Sequence, residues 1–345
     1  MKKEEREAAL KLRWVVLVLM GLVIFGSYYA YDAVSPIADF IIEGMGITKA
    51  QYGLLFSYYS LPNFIMVLLG GILLDKIGIR KAGILYAGLC ALGVSMTAAG
   101  STFQLMLWGR FVYGLGSESL IITMDKILSK WFRGKELAFA FGLNITIARL
   151  GTFAAFNTAA RIQAWSGSWR LALWISAVIM FVSFVLYFVY SGMDKAKEKY
   201  FEREKAEAEK LVFSDIYRFK PAYWFVTLLC VTFYSAIFPF TAFSTVFLQT
   251  KFGLTAVQGG FYTSLVITAA MIFTPLFGLL VDKFGKRATV MIIGSVMLVP
   301  AHLALGLTHL HPAIPMVVLG FSFSLVPAAL WPAIPILVEE KRLGT

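Results

Sequence analysis

Charge is the scarcest property of this sequence. Asp, Glu, Lys and Arg make up 15% of its 345 residues, against about 25% in soluble domains. Hydrophobic residues make up 59%, and a single water-soluble core has no room for that much apolar surface. With a mean hydropathy of +0.75, the chain reads as solvated by lipid, which excludes soluble enzymes and disordered proteins. Cysteine is nearly absent: the two present, Cys90 and Cys230, each lie inside an apolar stretch without a CxxC neighbour. That excludes a disulfide framework and a thiolate metal site. The three histidines, His302, His309 and His311, offer nothing beyond a His-x-His in a loop, so neither metal nor cofactor is expected. Acid is short relative to base, 20 residues against 31. The surplus Lys and Arg lie in short loops rather than on one patch, which argues against nucleic acid as a partner.

What is present is apolar length. A crossing helix needs about 20 mostly apolar residues. Such runs lie at 14–34, 50–74, 82–100, 103–127, 136–160, 169–192, 222–248, 257–281, 288–308 and 313–338. The first is too long for a cleavable signal, carries Tyr28, Tyr29 and Tyr31 at its far end, and is followed by further crossings. Basic residues collect on one side: Lys2 to Arg13, Lys76 to Lys81, Lys126 to Lys135, the bases of 195–220, Lys283 to Arg287, then Lys341 and Arg342. The other side receives Lys49, Arg161, Arg170 and Lys251. The positive-inside rule then puts the N-terminus in the cytoplasm. Residues 194–220 break the apolar pattern with Lys195–Glu198, Glu202–Lys205 and Glu207–Lys210 at helical spacing. They read as a charged cytoplasmic linker helix between bundles at 1–193 and 221–345.

The chain also repeats itself. Residues 70–83, GGILLDKIGIRKAG, recur at 277–290 as FGLLVDKFGKRATV. Tandem bundles related by an axis along the membrane normal put two copies at such corresponding loops. The first copy carries Gly71, Asp75, Gly78, Arg80 and Lys81; the second carries Gly278, Asp282, Gly285, Lys286 and Arg287. The pattern resembles the signature loop of the major facilitator superfamily. Gly71, lacking a side chain, lets a neighbouring helix come close, and Gly78 permits a turn with positive φ. Asp75 faces Arg80 or a helix N-terminus, as a latch that breaks when bundles rock.

Further segments carry a narrower resemblance. These are Tyr59-Ser60-x-Pro62-Asn63, Gly109-Arg110-Phe111-Val112-x-Gly114-x-Gly116-x-Glu118, Trp131-Phe132-x-Gly134-Lys135-Glu136, Ala148-Arg149-x-Gly151, Pro275 to Lys283 and Ala329-Leu330-Trp331-Pro332. Together they resemble the superfamily branch that contains the lysosomal dipeptide uniporter of animals. The resemblance implies an all-α membrane protein of major facilitator fold, with two helical bundles and twelve crossings, ten of them in this chain. It also implies movement of short peptides by alternating access. In the N-terminal tail Leu10 is followed by Lys11, without an acidic dileucine sorting signal, so a microbial plasma membrane is expected rather than a lysosome.

Ionisable side chains at bilayer depth are costly and mark function. Arg110, Glu118 and Arg149 are the deepest. At 1.5 Å per residue, Glu118 lies about 22 Å inward along the fourth crossing and Arg149 about 20 Å outward along the fifth. Both depths fall near the middle of a core about 30 Å thick. An opposed pair suits a zwitterion, since a guanidinium grips a carboxylate through two hydrogen bonds and a carboxylate holds an ammonium. Arg149 therefore reads as the anchor of a peptide C-terminus and Glu118 as that of the N-terminus, and the resemblance puts the same motif positions there. Two other readings stand: the pair holds two helices together, or Glu118 carries a proton and transport follows a pH gradient.

The remaining candidates are weighed by depth and face. Arg110 lies nearer the outer surface and resembles the family's fourth-helix arginine, which contacts the first helix, so it reads as structural or gating. Asp125 lies about 20° from the Glu118 face, near the inner end, and reads as a latch partner for Arg80. Asp32, at the outer end of the first crossing, reads equally as an interfacial residue. Asn157, about 80° around the helix from Arg149, joins Tyr31, Tyr58, Tyr234 and Trp331 as candidate pocket residues, the aromatics on helices that line the cavity in this superfamily.

The expected function is movement of a small zwitterionic solute across a lipid bilayer by a monomer, with dipeptides preferred on the resemblance. Anchoring by Arg149 alone makes an organic-anion transporter instead; dependence on the ligand's amino group separates the two. A membrane receptor or scaffold that binds without moving its ligand is the reading from another class. No nucleophile–base pair or metal cluster occurs at the midplane, so an enzyme is not expected.

Overall fold

The computed structural model describes residues 3–132, 136–197 and 219–337. The described chain is a succession of helices: α1 (Lys3–Asp32), α2 (Ala38–Met45), α3 (Lys49–Ala99), α4 (Phe103–Trp131), α5 (Leu137–Ser166) and α6 (Trp169–Lys197). After the connector come α7 (Pro221–Phe252), α8 (Ala256–Phe284), α9 (Arg287–Leu307), α10 (Ala313–Leu330) and a short α11 (Ile334–Leu337). The chain divides into two compact units, Met1–Glu204 and Lys205–Thr345. Most of the expected linker helix, residues 198–218, lies outside the described residues. Its first residues continue α6.

Among the described residues, eight helical segments are long and apolar enough to cross a membrane. One of them, α3, has 51 residues, about 76 Å at 1.5 Å per residue, enough for two crossings. The two expected helices meet at one non-helical residue, Gly78, with φ 81° and ψ 159°, a backbone conformation that only glycine adopts without strain. α4 has 29 residues, the length of one crossing, with Arg110, Glu118 and Asp125 along it. Counting α3 twice and adding α4 recovers the ten runs read from the sequence.

The first crossing departs from expectation. Rather than ending at 34, it breaks after Asp32, turns through a 3-10 segment at Ser35–Ile37 and resumes as α2. Pro36 lacks an amide hydrogen and fits the first turn of such a segment. Residues 33–38 are all buried, and the turn packs against α5. Non-helical backbone at membrane depth is tolerated where protein covers it.

In the first unit α3 packs on α4 and α6, while α1 packs on α5 and α6. In the second, α8 and α9 both pack on α10, and α7 packs on α8. The α3–α4 seam is tight because small residues line it. A Cβ on Gly114 would stand 2.2 Å from the Tyr59 carbonyl oxygen, and one on Gly93 would stand 2.3 Å from the Tyr113 nitrogen. The close approach expected at Gly71 occurs one residue earlier: a Cβ there would meet no atom within 4 Å, whereas one on buried Gly70 would strike Ser119 Oγ at 1.9 Å. Adjacent residues point about 100° apart on a helix, so only one of the two can face α4. Gly278 likewise has no atom within 4 Å of an added Cβ.

Two of the four cations counted on the sparsely basic side cover helix C-termini. Arg170 Nη1 donates to the carbonyl of Gly100, the residue that closes α3, at 2.6 Å. Lys251 donates to the carbonyls of Leu305 and Gly306 in the last turn of α9, the latter at 2.6 Å.

Candidate functional site

Small residues set the distances on which the site depends. Gly151, two residues beyond Arg149, lets α1 approach α5 until an added Cβ would lie 2.4 Å from the Phe25 carbonyl oxygen. That contact keeps the following turns of α1 against α5, where the Tyr29 hydroxyl bonds Thr158 Oγ1 at 2.8 Å. The Tyr28 hydroxyl lies in the electrostatic fields of Arg149, Glu118, Asp32 and Asp125. Both of the charges expected to hold a zwitterion thus act on Tyr28. The tyrosine itself was not singled out from the sequence, where Tyr28, Tyr29 and Tyr31 look alike as an aromatic belt.

Glu118 is half-buried and is held by a second residue the sequence reading left without a role. Asn63 Nδ2 donates to Glu118 Oε1 at 3.4 Å, and Asn63 Oδ1 accepts from the Glu118 backbone nitrogen at 3.3 Å. One carboxamide thus bridges the main chain and side chain of the same glutamate. An amide inside an apolar run, directly after Pro62, was the available signal. Arg149 is half-buried as well, and its charge acts on Asp32. Asp32 is half-buried at the break in the first crossing. Asp125 is half-buried, in the field of Glu118.

Arg110 is 1% exposed and enclosed by rings. Its guanidinium carbon lies 5.3 Å from the Tyr31 ring centre, 5.4 Å from Phe56, 5.1 Å from Tyr59 and 5.6 Å from Tyr113. Tyr31 supplies the contact with the first helix, and Arg110 Nε donates to the Leu55 carbonyl of α3 at 3.2 Å. Tyr31 also packs on Tyr59, with ring centres 4.7 Å apart, and the Tyr59 hydroxyl bonds Ser117 Oγ at 2.8 Å, next to Glu118.

Other candidates stand apart from this group. Tyr58 is half-buried and packs edge-on against Trp108, which is 47% exposed, at 6.3 Å. The Asn157 amide donates to the Phe153 carbonyl of its own helix at 2.9 Å. Tyr234 and Trp331 belong to the second unit, where the indole donates to the phenol at 3.3 Å and Tyr234 stacks on Phe238 at 5.3 Å.

The two repeated loops form ion pairs. Asp75 pairs with Lys126 of α4, and in the second copy Arg287 lies 3.7 Å from Asp282. Gly285 closes α8 with φ 66°; Lys81 is exposed at the start of the descending half of α3. Arg80, expected to latch with Asp125, lies 3.9 Å from the carboxylate of Asp194. Asp194 also accepts from Lys130 Nζ at 2.6 Å, Trp131 Nε1 at 3.3 Å and the Tyr190 hydroxyl at 3.2 Å. As the first residue of the expected linker it looked solvated, but it lies inside α6 and is 1% exposed.

Residues 20–345 match the family model described as Major Facilitator Superfamily. A zebrafish (Danio rerio) relative, the lysosomal dipeptide transporter MFSD1, is 35% identical over 96% of this chain and 75% of its own length. The human (Homo sapiens) lysosomal dipeptide transporter MFSD1 is 32% identical over the same shares. Among solved structures, a bacterial homologue of the human lysosomal transporter Spinster, inward-facing and unoccupied, superposes with a TM-score of 0.73 at 17% identity. That match covers 96% of this chain and 77% of the other.

Proposed function

The chain belongs to the major facilitator superfamily and is an integral membrane transporter, and we propose that it moves a small zwitterion, in the first place a dipeptide. The observation that carries this reading is the position of Tyr28, in the fields of Arg149 and Glu118 together. A guanidinium and a carboxylate on two helices that touch, α4 and α5, then act on one phenol. Arg149 binds the peptide carboxylate through paired hydrogen bonds, and Glu118, oriented by Asn63, binds the ammonium. The relatives named as dipeptide transporters support the same cargo class. In this reading residues 1–193 and 221–345 are bundles joined by a cytoplasmic linker. They expose the cargo to each side in turn, with the N-terminus in the cytoplasm of a microbial cell.

Counterflow of labelled alanyl-alanine into proteoliposomes tests the assignment. Arg149→Lys removes the planar fork, Glu118→Gln removes the charge, and each raises KM about tenfold or more, the usual scale for a hydrogen bond to a charged group. N-acetylation of the dipeptide costs the wild type heavily and Glu118→Gln little. Undiminished transport by both variants ends the proposal.

A further inference from the structure

The apolar seam between α3 and α4 is crossed by polar contacts at a regular spacing. On α3 they come from Leu55, Tyr59 and Asn63, and steps of four residues stay near one helix face. Arg110 Nε donates to the Leu55 carbonyl at 3.2 Å. The Tyr59 hydroxyl bonds Ser117 Oγ at 2.8 Å. Asn63 holds Glu118 by its side chain and its main chain. The middle contact is the shortest of the series and is closed to water, with Tyr59 8% and Ser117 2% exposed. The Tyr59 ring is wedged in place: the Arg110 guanidinium carbon lies 5.1 Å from its centre, the Tyr31 ring 4.7 Å and the Tyr113 ring 5.1 Å. Gly114 brings the α4 main chain up to the Tyr59 carbonyl, where an added Cβ would stand at 2.2 Å. A phenol packed in this way has little choice of where to put its hydroxyl, and that hydroxyl grips the residue next to Glu118.

We infer that Tyr59 is a positioning residue for the ammonium end of the cargo: through Ser117 it fixes the rotation of α4 at which Glu118 is offered. The inference rests on the assignment of Glu118 given above. Adjacent residues point about 100° apart on a helix, so the bonds at Ser117 and Glu118 hold α4 from two directions. A helix held along one direction can roll; held along two it cannot. The Asn63 contacts, at 3.4 and 3.3 Å, leave slack that the 2.8 Å bond takes up. A roll of about 10° moves a side-chain tip, at the helix radius of about 5–6 Å, by about 1 Å, enough to spoil an aligned hydrogen bond. Tyr59 and Ser117 are both neutral, so they act on ammonium recognition through Glu118 and add no charge of their own.

The experiment measures uptake of labelled alanyl-alanine, and its inhibition by N-acetyl-alanyl-alanine, which lacks the ammonium. It compares proteoliposomes of wild type, Tyr59→Phe, Ser117→Ala, Glu118→Gln and the double variant Tyr59→Phe/Glu118→Gln. Tyr59→Phe keeps the ring and removes only the hydroxyl. It is expected to raise KM for alanyl-alanine about fivefold, the equivalent of the ~1 kcal/mol of one neutral hydrogen bond. Neither kcat nor the inhibition constant of the acetylated peptide changes appreciably. Ser117→Ala, which removes the other half of the same bond, gives the same split. On the Glu118→Gln background Tyr59→Phe costs nothing further, because residues that act through one contact are not additive. Two ligands are compared within one preparation, so a poorly folded variant weakens both signals together and does not imitate the effect. An equal loss for both ligands, or a full further loss in the double variant, overturns the inference. If Glu118→Gln leaves the preference for the free amine intact, the ammonium assignment falls and the inference with it. If Glu118→Gln abolishes that preference while Tyr59→Phe leaves it untouched, the positioning role alone falls.

Discussion

A single carboxamide shows how much one side chain decides in an apolar surrounding. Asn63 ties the Glu118 carboxylate and the Glu118 main chain to α3, which fixes the direction in which the acid is offered. Both contacts are long, at 3.4 and 3.3 Å, so their contribution sits at the low end of the range of about 1.5–3 kcal/mol for bonds to charged groups. Asn63→Ala is therefore expected to raise KM for alanyl-alanine roughly tenfold while kcat changes little, measured as initial uptake rates. Glu118, Arg149 and Arg110 were legible as costly charges in apolar runs. Asn63 and Tyr28 were not, because their significance lies in which helix they face, and that is fixed by the glycine contacts between α1, α3, α4 and α5.

At the scale of helices, hydropathy alone separated the crossings, and it failed where the chain bends without becoming polar. The turn at 33–38 is itself apolar, so no composition shift marks it; Pro36 was the one local clue. At Gly78 the reverse holds, since the charged residues around it suggest a loop where the helix in fact runs on to either side. Helix ends explain another feature that counting charges did not. Arg170 and Lys251 look like exceptions to the charge asymmetry, but both cover the terminal carbonyls of α3 and α9, where a cation is favoured by the dipole and by unpaired acceptors. Lys251→Met should lower stability by about 0.5–1 kcal/mol, seen as a small fall in the melting temperature of the detergent-purified protein, with KM for alanyl-alanine unchanged. A fall in affinity instead would mean that Lys251 touches the cargo.

Across the whole chain, the two loop copies differ in how they are tied down. In the first unit Asp194 gathers Arg80 from the descending half of α3, Lys130 and Trp131 from the end of α4, and Tyr190 from its own helix. One buried acid thus joins three helix ends just before the connector. Removing one partner of a buried ion pair leaves the others uncompensated, at a cost of about 3–5 kcal/mol. Asp194→Asn is expected to show the largest loss of thermal stability among the variants named, measured as the melting temperature, and Asp282→Asn in the exposed second copy almost none. The α3–α4 seam has a consequence of its own. With backbone meeting backbone at Gly93 and Gly114, the two helices have no slack for gradual sliding. Tightly packed elements shift as blocks or not at all, so whatever motion admits cargo within the first unit, α3 and α4 travel through it as a single stiff lever.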